Sequence, residues 1–397
     1  GQDRTMVKEP TEEQSKILQQ KGNIVITAKP GSGKTYTIVE KIARVIPDLP
    51  EYKGVIAISF TNKASDELKR RCKQRCADTK QSFFGTIDKF YISQIIIPFS
   101  SHVTGNITEY EIVDNIDESS KYALLLEEPF SSKKESILVE GLQEGKIFLK
   151  YTGETALYIL ENVPGAMQYI KARYSHIIID EYQDCGEIQD KVFIKLVESG
   201  LTGIAVGDIN QAIYGFTKRF PKYLIALMKR DDFARFELSK NHRCHPSISE
   251  YSLCLFGASK TVPREKRVFK VDISGDERSI AAAIDKYLNQ IKDKYGIVRN
   301  NQVAILCRSN STAFKVGENL STPYKIFEET VLDRDNSEWG RFFRDLISAR
   351  FDESVFAVDY AEQLFSEELE PQKYRKALAL CQSIFSNSFD DFCNAED

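Results

Sequence analysis

The stretch "AKPGSGKTYT" (Ala28 to Thr37) limits the fold more than any other part of this chain. The apolar run "NIVIT" leads into it and "IVEKIARVI" follows, so it reads as a strand, a glycine-rich loop and a helix. Ala28, Gly33, Lys34 and Thr35 fit the phosphate-loop template, with alanine at the usual first glycine. Gly31 and Gly33 permit the turn that aims successive N–H groups at the β- and γ-phosphates. Lys29, Pro30 and Ser32 fill out the loop, and Pro30, which has no N–H, marks a position not needed as a donor. Lys34 supplies a point charge, Thr35 a hydroxyl for Mg²⁺, and the helix that starts there its positive end. Alternating strands and helices around such a loop imply an α/β fold with a parallel sheet.

A phosphate loop needs a carboxylate that holds the metal. "HIIIDEYQD" (His176 to Asp184) reads as a strand that delivers Asp180 and Glu181 to the sheet edge. Asp180 is expected to hold Mg²⁺ through water, and Glu181 to orient and deprotonate the water that attacks the γ-phosphate. An acidic turn after a buried strand is common by itself. Paired with the loop it points to hydrolysis of ATP, with ATP and Mg²⁺ as the bound groups.

The bulk numbers bound the rest. A chain of 397 residues leads one to expect two or three domains. No run is long and apolar enough to span a membrane, and the eight scattered cysteines suggest no disulfide framework, so a reducing cytoplasm is expected. A net charge of −4 excludes a uniformly basic surface. It leaves nucleic acid open, because a groove needs only local cationic focusing and stacking.

Further blocks give the class. "TEEQSKIL", "AISFTNKASDELKRR", "FFGTIDKF", "IIIDEYQD", "VGDINQAIYGF" and "LSKNHRCHPSI" follow one another across residues 11–248. In this order they resemble the superfamily 1 DNA helicases of the Rep/UvrD type. The resemblance implies a RecA-like P-loop NTPase domain and ATP-driven movement along single-stranded DNA, or at a single-strand/duplex junction, in the 3′ to 5′ direction. It makes Gln14 the adenine reader, Gln211 the sensor of the γ-phosphate and Arg243 the group that stabilises its transition-state charge. Tyr36 falls where many relatives carry arginine, and His242 where they carry tyrosine. Phe60, Tyr214 and Phe216 become rings for bases, with Asn62, Lys63 and Thr86 at phosphates or base edges and Arg308 facing DNA from further along. Without the motifs each ring would read as core packing. Further departures are Asp88 where histidine is frequent, and Tyr182 where phenylalanine is usual. Compact anti-phage members of this type, such as the Gabija helicase subunit, imply a nuclease partner instead of autonomous unwinding.

Residues 1–90 and 172–258 are expected to form the first motor domain, and 91–171 a small helical insertion lining the DNA path. Residues 259–330 would begin a second RecA-like domain, with strands in "KRVFKVDIS", "QVAILCRS" and "PYKIF", and 331–397 a helical second insertion. The family's C-terminal motifs are not in this sequence, so either it is part of a longer chain or a partner completes it. His242, Cys244 and His245 stand close together, but the arginine motif accounts for them and no structural zinc is expected. The basic run Lys69 to Arg75 is either a solvated helix face or a phosphate contact.

Overall fold

The computed structural model describes residues 9–76, 78–105, 109–127, 130–209, 221–255, 265–326, 338–349, 357–365 and 370–386. Gln211, Tyr214 and Phe216 lie outside the described residues. Two compact units divide the chain, residues 1–269 and 270–397. Among the described residues no helix is long and apolar enough to cross a membrane.

The first unit is built on β1 (Asn23–Ala28), β2 (Gly54–Ser59), β3 (Phe83–Thr86), β4 (Glu111–Val113), β5 (Lys146–Phe148), β6 (Tyr174–Ile179), β7 (Thr202–Gly207) and β8 (Phe233–Leu238). Six of them make one all-parallel sheet in the order β3-β2-β6-β7-β1-β8. Successive residues of a strand face opposite ways, and here both faces are apolar. Val55, Ala57, Ile178, Ile204 and Val206 belong to one buried cluster; Ile56, Ile58, Ile177, Ile179 and Ala205 belong to the other. Such two-sided burial explains why the strands read as continuous apolar runs.

On the first face lie α1 (Glu12–Gln19), α2 (Lys34–Val45) and α3 (Asn62–Arg75), through Ile17, Ile38, Ile42 and Leu68. Helix α1 opens with a capping box: Gln14 N–H donates to Thr11 Oγ1 at 3.3 Å, and Thr11 N–H to Gln14 Oε1 at 3.0 Å. Its far end is closed by Lys41 of α2, whose buried ammonium donates to the carbonyls of Ile17, Leu18 and Gln20 at 3.1, 3.3 and 2.5 Å. Burial holds this lysine's pKa down, while the negative end of α1 attracts its charge.

The second face is covered by α4 (Ile87–Phe90), by the π-turn Tyr91–Ile96 that continues it, and by the helices Thr152–Asn162, Pro164–Arg173 and Glu187–Glu198. Phe90, Tyr91, Ile95, Ile159, Ile170 and Phe193 seal it. Much of residues 91–171 therefore packs on the sheet. The segment also holds the parallel pair β4–β5, which the helical pattern of the sequence did not announce.

In the second unit, Asp276 caps the helix Glu277–Tyr295 and Ser309 caps Asn310–Glu318. Asp285 accepts from the N–H and hydroxyl of both Ser321 and Thr322, which pulls its pKa down to about 2. The helices Glu338–Ala349, Ala357–Leu364 and Pro371–Ser386 follow. The expected strands are a correction: among the described residues, "KRVFKVDIS", "QVAILCRS" and "PYKIF" form no ladder. Apolar alternation lends a segment to a sheet, but a strand exists only where a neighbour bonds it. In their absence Val271, Ile273, Ile305, Leu306 and Tyr324 are exposed.

Candidate functional site

The C-terminal edge of a parallel sheet gathers the loops that leave its strands. Here β1 leads into the phosphate loop, β6 into Asp180 and Glu181, β7 into Asp208 and β8 into Asn241–Cys244. Since β7 stands between β1 and β6, the loop and the acidic pair are two strand spacings apart, about 10 Å. The Lys34 side chain crosses that gap. Its ammonium lies 2.7 and 2.6 Å from the two carboxylate oxygens of Glu181. Glu181 adopts a left-handed backbone (φ 56°), uncommon for a residue with a side chain and a mark of a tightly determined turn. Its N–H donates to Asp180 Oδ1 at 2.9 Å. Burial, with the charge of Glu181 adding to it and that of Lys34 opposing, pushes the Asp180 carboxyl up to about 6.

The loop takes left-handed turns at Gly31 (φ 72°) and Gly33 (φ 88°). A Cβ at Gly31 would lie 2.8 Å from Asn241 Oδ1 and one at Gly33 2.8 Å from Gln14 Nε2, so neither position has room for a side chain. Between them Ser32 is buried, with its hydroxyl oxygen bonded to no group among the described residues. A glycine-lined loop, a lysine at the helix start, an orphaned buried hydroxyl and a buried carboxylate opposite fit a magnesium-bound triphosphate. Thr35, in the first turn of α2, and Asp180 are the residues that would hold the metal.

Other predicted residues gather around this loop. Ala28 ends β1 beside Leu238 of β8, and Lys29 forms an ion pair with Glu237 at 3.4 Å. Gln14 packs against Gly33, and Tyr36 is half-buried on α2. The arginine turn is fastened to the loop: His242 N–H donates to Gly31 O at 2.8 Å and Asn241 Nδ2 to Pro30 O at 3.0 Å. Asn241 Oδ1 in turn accepts from the N–H groups of Arg243 and Cys244, both at 2.8 Å. Arg243 thereby starts beside Gly31 with its side chain exposed. His245 is engaged by Ser247 at 3.0 Å and Glu265 at 3.4 Å.

Phe60, Asn62, Lys63 and Thr86, expected to meet DNA, lie on the same sheet edge. Phe60 follows β2 with its ring half-buried against the core, and Asn62 and Lys63 are exposed in the first turn of α3. Thr86 caps α4, accepting from Lys89 N–H. Asp88 turns the other way: its Oδ1 accepts from Thr152 Oγ1 at 2.6 Å, which makes the departure at this position a structural tie. In the second unit Arg308 is exposed just before the helix Asn310–Glu318. The arginines of the basic run are paired: Arg70 and Arg71 with Glu67 at 2.8 and 2.6 Å, and Arg75 with Glu40 at 2.7 Å. Hydrogen bonds from Arg70 and Arg71 draw the Glu67 carboxyl down to about 2.

Two site residues escaped the sequence reading. Asn241 and Gln183 stand inside the quoted motifs, and their amide groups join segments from different strands. Motif membership was the only signal available for them.

The AAA domain family matches residues 12–217, just over half of the chain. The Gabija protein GajB of Bacillus cereus is 29% identical over 331 residues, covering 80% of this chain and 64% of that protein. DNA helicase II of Haemophilus influenzae is 26% identical over 392 residues, 84% of this chain and 53% of its own length. ATP-dependent DNA helicase PcrA of Staphylococcus aureus is 26% identical over 248 residues, 52% of this chain and 34% of its own. The chain thus spans less than two thirds of the length of each of these relatives.

Proposed function

The chain belongs to the AAA domain family, with Rep/UvrD-type helicases among its relatives, and on that premise we propose that it is an ATP-driven motor on single-stranded DNA. The observation that carries this reading is the Lys34–Glu181 pair between the loops that leave β1 and β6. A lysine that meets a triphosphate must release the carboxylate it holds. Binding then frees Glu181 to align water and accept its proton, while Lys34 stays with the phosphates. Bound Mg²⁺ would neutralise phosphate charge as the bond breaks. Arg243, held near Gly31 by Asn241, is suited to meet the leaving phosphoryl charge. Movement in the 3′ to 5′ sense, and a DNA grip through Phe60, Asn62, Lys63 and Thr86, follow from the resemblance of the motifs.

The match to the Gabija protein across 80% of this chain favours a second reading, an ATPase subunit that senses DNA beside a nuclease and unwinds little alone. Turnover of ATP with and without single-stranded DNA tests the first reading. Stimulation by DNA is expected for the wild type. Lys34→Ala and Glu181→Gln should each lose roughly 100-fold or more in turnover, with Glu181→Gln still binding ATP. Wild-type turnover in Lys34→Ala would overturn the assignment. Strong strand separation by the chain alone would remove the second reading.

A further inference from the structure

We propose that Gln183 is a positioning residue that ties the carboxylate of Glu181 to the end of β7; this rests on the reading of Glu181 as the base. Gln183 lies in the 3₁₀ turn Tyr182–Asp184 and is 3% exposed. Its Nε2 donates to Glu181 Oε2 at 2.9 Å, and its Oε1 accepts the N–H of Asp208 at 2.9 Å. Chemistry fixes which way the amide points: turned over, it would set NH₂ against N–H and oxygen against carboxylate. The neighbouring backbone makes room for it, since a Cβ on Gly207 would fall 2.6 Å from Gln183 Oε1.

Lys34 and Gln183 both hold the Glu181 carboxylate. The two bonds differ in what they can do. Lys34 is drawn away by phosphate, whereas Gln183 has no charge and is anchored at its other end to backbone. Once Lys34 turns to the nucleotide, the amide still sets where the base sits, and a displacement of the β7 terminus reaches Glu181 through one side chain. Gln183 thus links the end of β7 with the proton acceptor, without itself touching ATP.

Two variants of the full chain test this. Gln183→Met keeps length but gives no donor. Gly207→Ala keeps Gln183 and displaces its oxygen. Both should bind a fluorescent ATP analogue within about twofold of wild type, because neither residue lies in the phosphate loop. Hydrogen exchange at the Asp208 amide should rise about tenfold as its acceptor is lost. Turnover number, not KM, should fall roughly 10- to 100-fold, the scale of a misplaced base. In a Glu181→Gln background, adding Gln183→Met should lower turnover no further. The same factor lost in both backgrounds, or faster Asp208 exchange with wild-type turnover, would overturn the proposal. Wild-type chain that does not hydrolyse ATP would instead remove the reading of Glu181 as base, an outcome visible in the unmutated arm alone.

Discussion

Tyr182 shows how one substituted atom recruits its own partner. It is fully buried in the turn after Glu181, and its hydroxyl donates to Asp190 Oδ1 at 2.7 Å. Burial raises the Asp190 carboxyl, and this bond opposes that rise. Tyr182→Phe should therefore cost about 1–2 kcal/mol in a denaturant melt by leaving a polar group short of a donor. Changing Asp190 to leucine as well should recover most of the loss. Lys34, Asp180 and Glu181 were legible because phosphate chemistry demands those residue types at the ends of two strands. Gln183 and Asn241 were not, because an amide suits many places and its partners are chosen only when distant strands come together.

Among the elements, the tie between α4 and the helix Thr152–Asn162 carries a prediction of its own. Thr152 is buried and bonds the carboxylate of Asp88, joining the turn after β3 to the segment that covers the second sheet face. Thr152→Val keeps the shape and removes the donor, so the first unit should lose about 1–3 kcal/mol in a melt while nucleotide affinity stays put. Helix starts follow from local chemistry: Thr11 with Gln14, Asp276 and Ser309 are residues whose side chains bond the free N–H groups of a first turn. Strand pairing does not follow from local chemistry alone. β4 and β5 are three residues each, too short for a period to show, and the apolar runs around Val271 and Ile305 read as strands yet form no ladder among the described residues. Sequence reports what a segment offers, and the neighbour decides.

At the scale of the whole molecule, His176 of β6 makes the fold sensitive to acid. Burial, helped by the nearby charge of Lys41, brings its pKa from 6.5 down to about 4. The native state then binds fewer protons than the unfolded chain between those values. The contribution of this one residue is complete above pH 6.5 and is lost as the pH falls through that window, by up to about 3 kcal/mol near pH 4. His176→Asn should flatten this part of a pH-dependent melting curve. The helix α3 has a different consequence for the molecule. Its three arginines share the two carboxylates of Glu67 and Glu40, so these pairs cancel only part of the arginine charge, and Lys63, Lys69 and Lys73 of the same helix add to it. The helix thus keeps a net positive charge, whose field would reach a passing polyanion from roughly 10 Å at moderate salt before any contact is made.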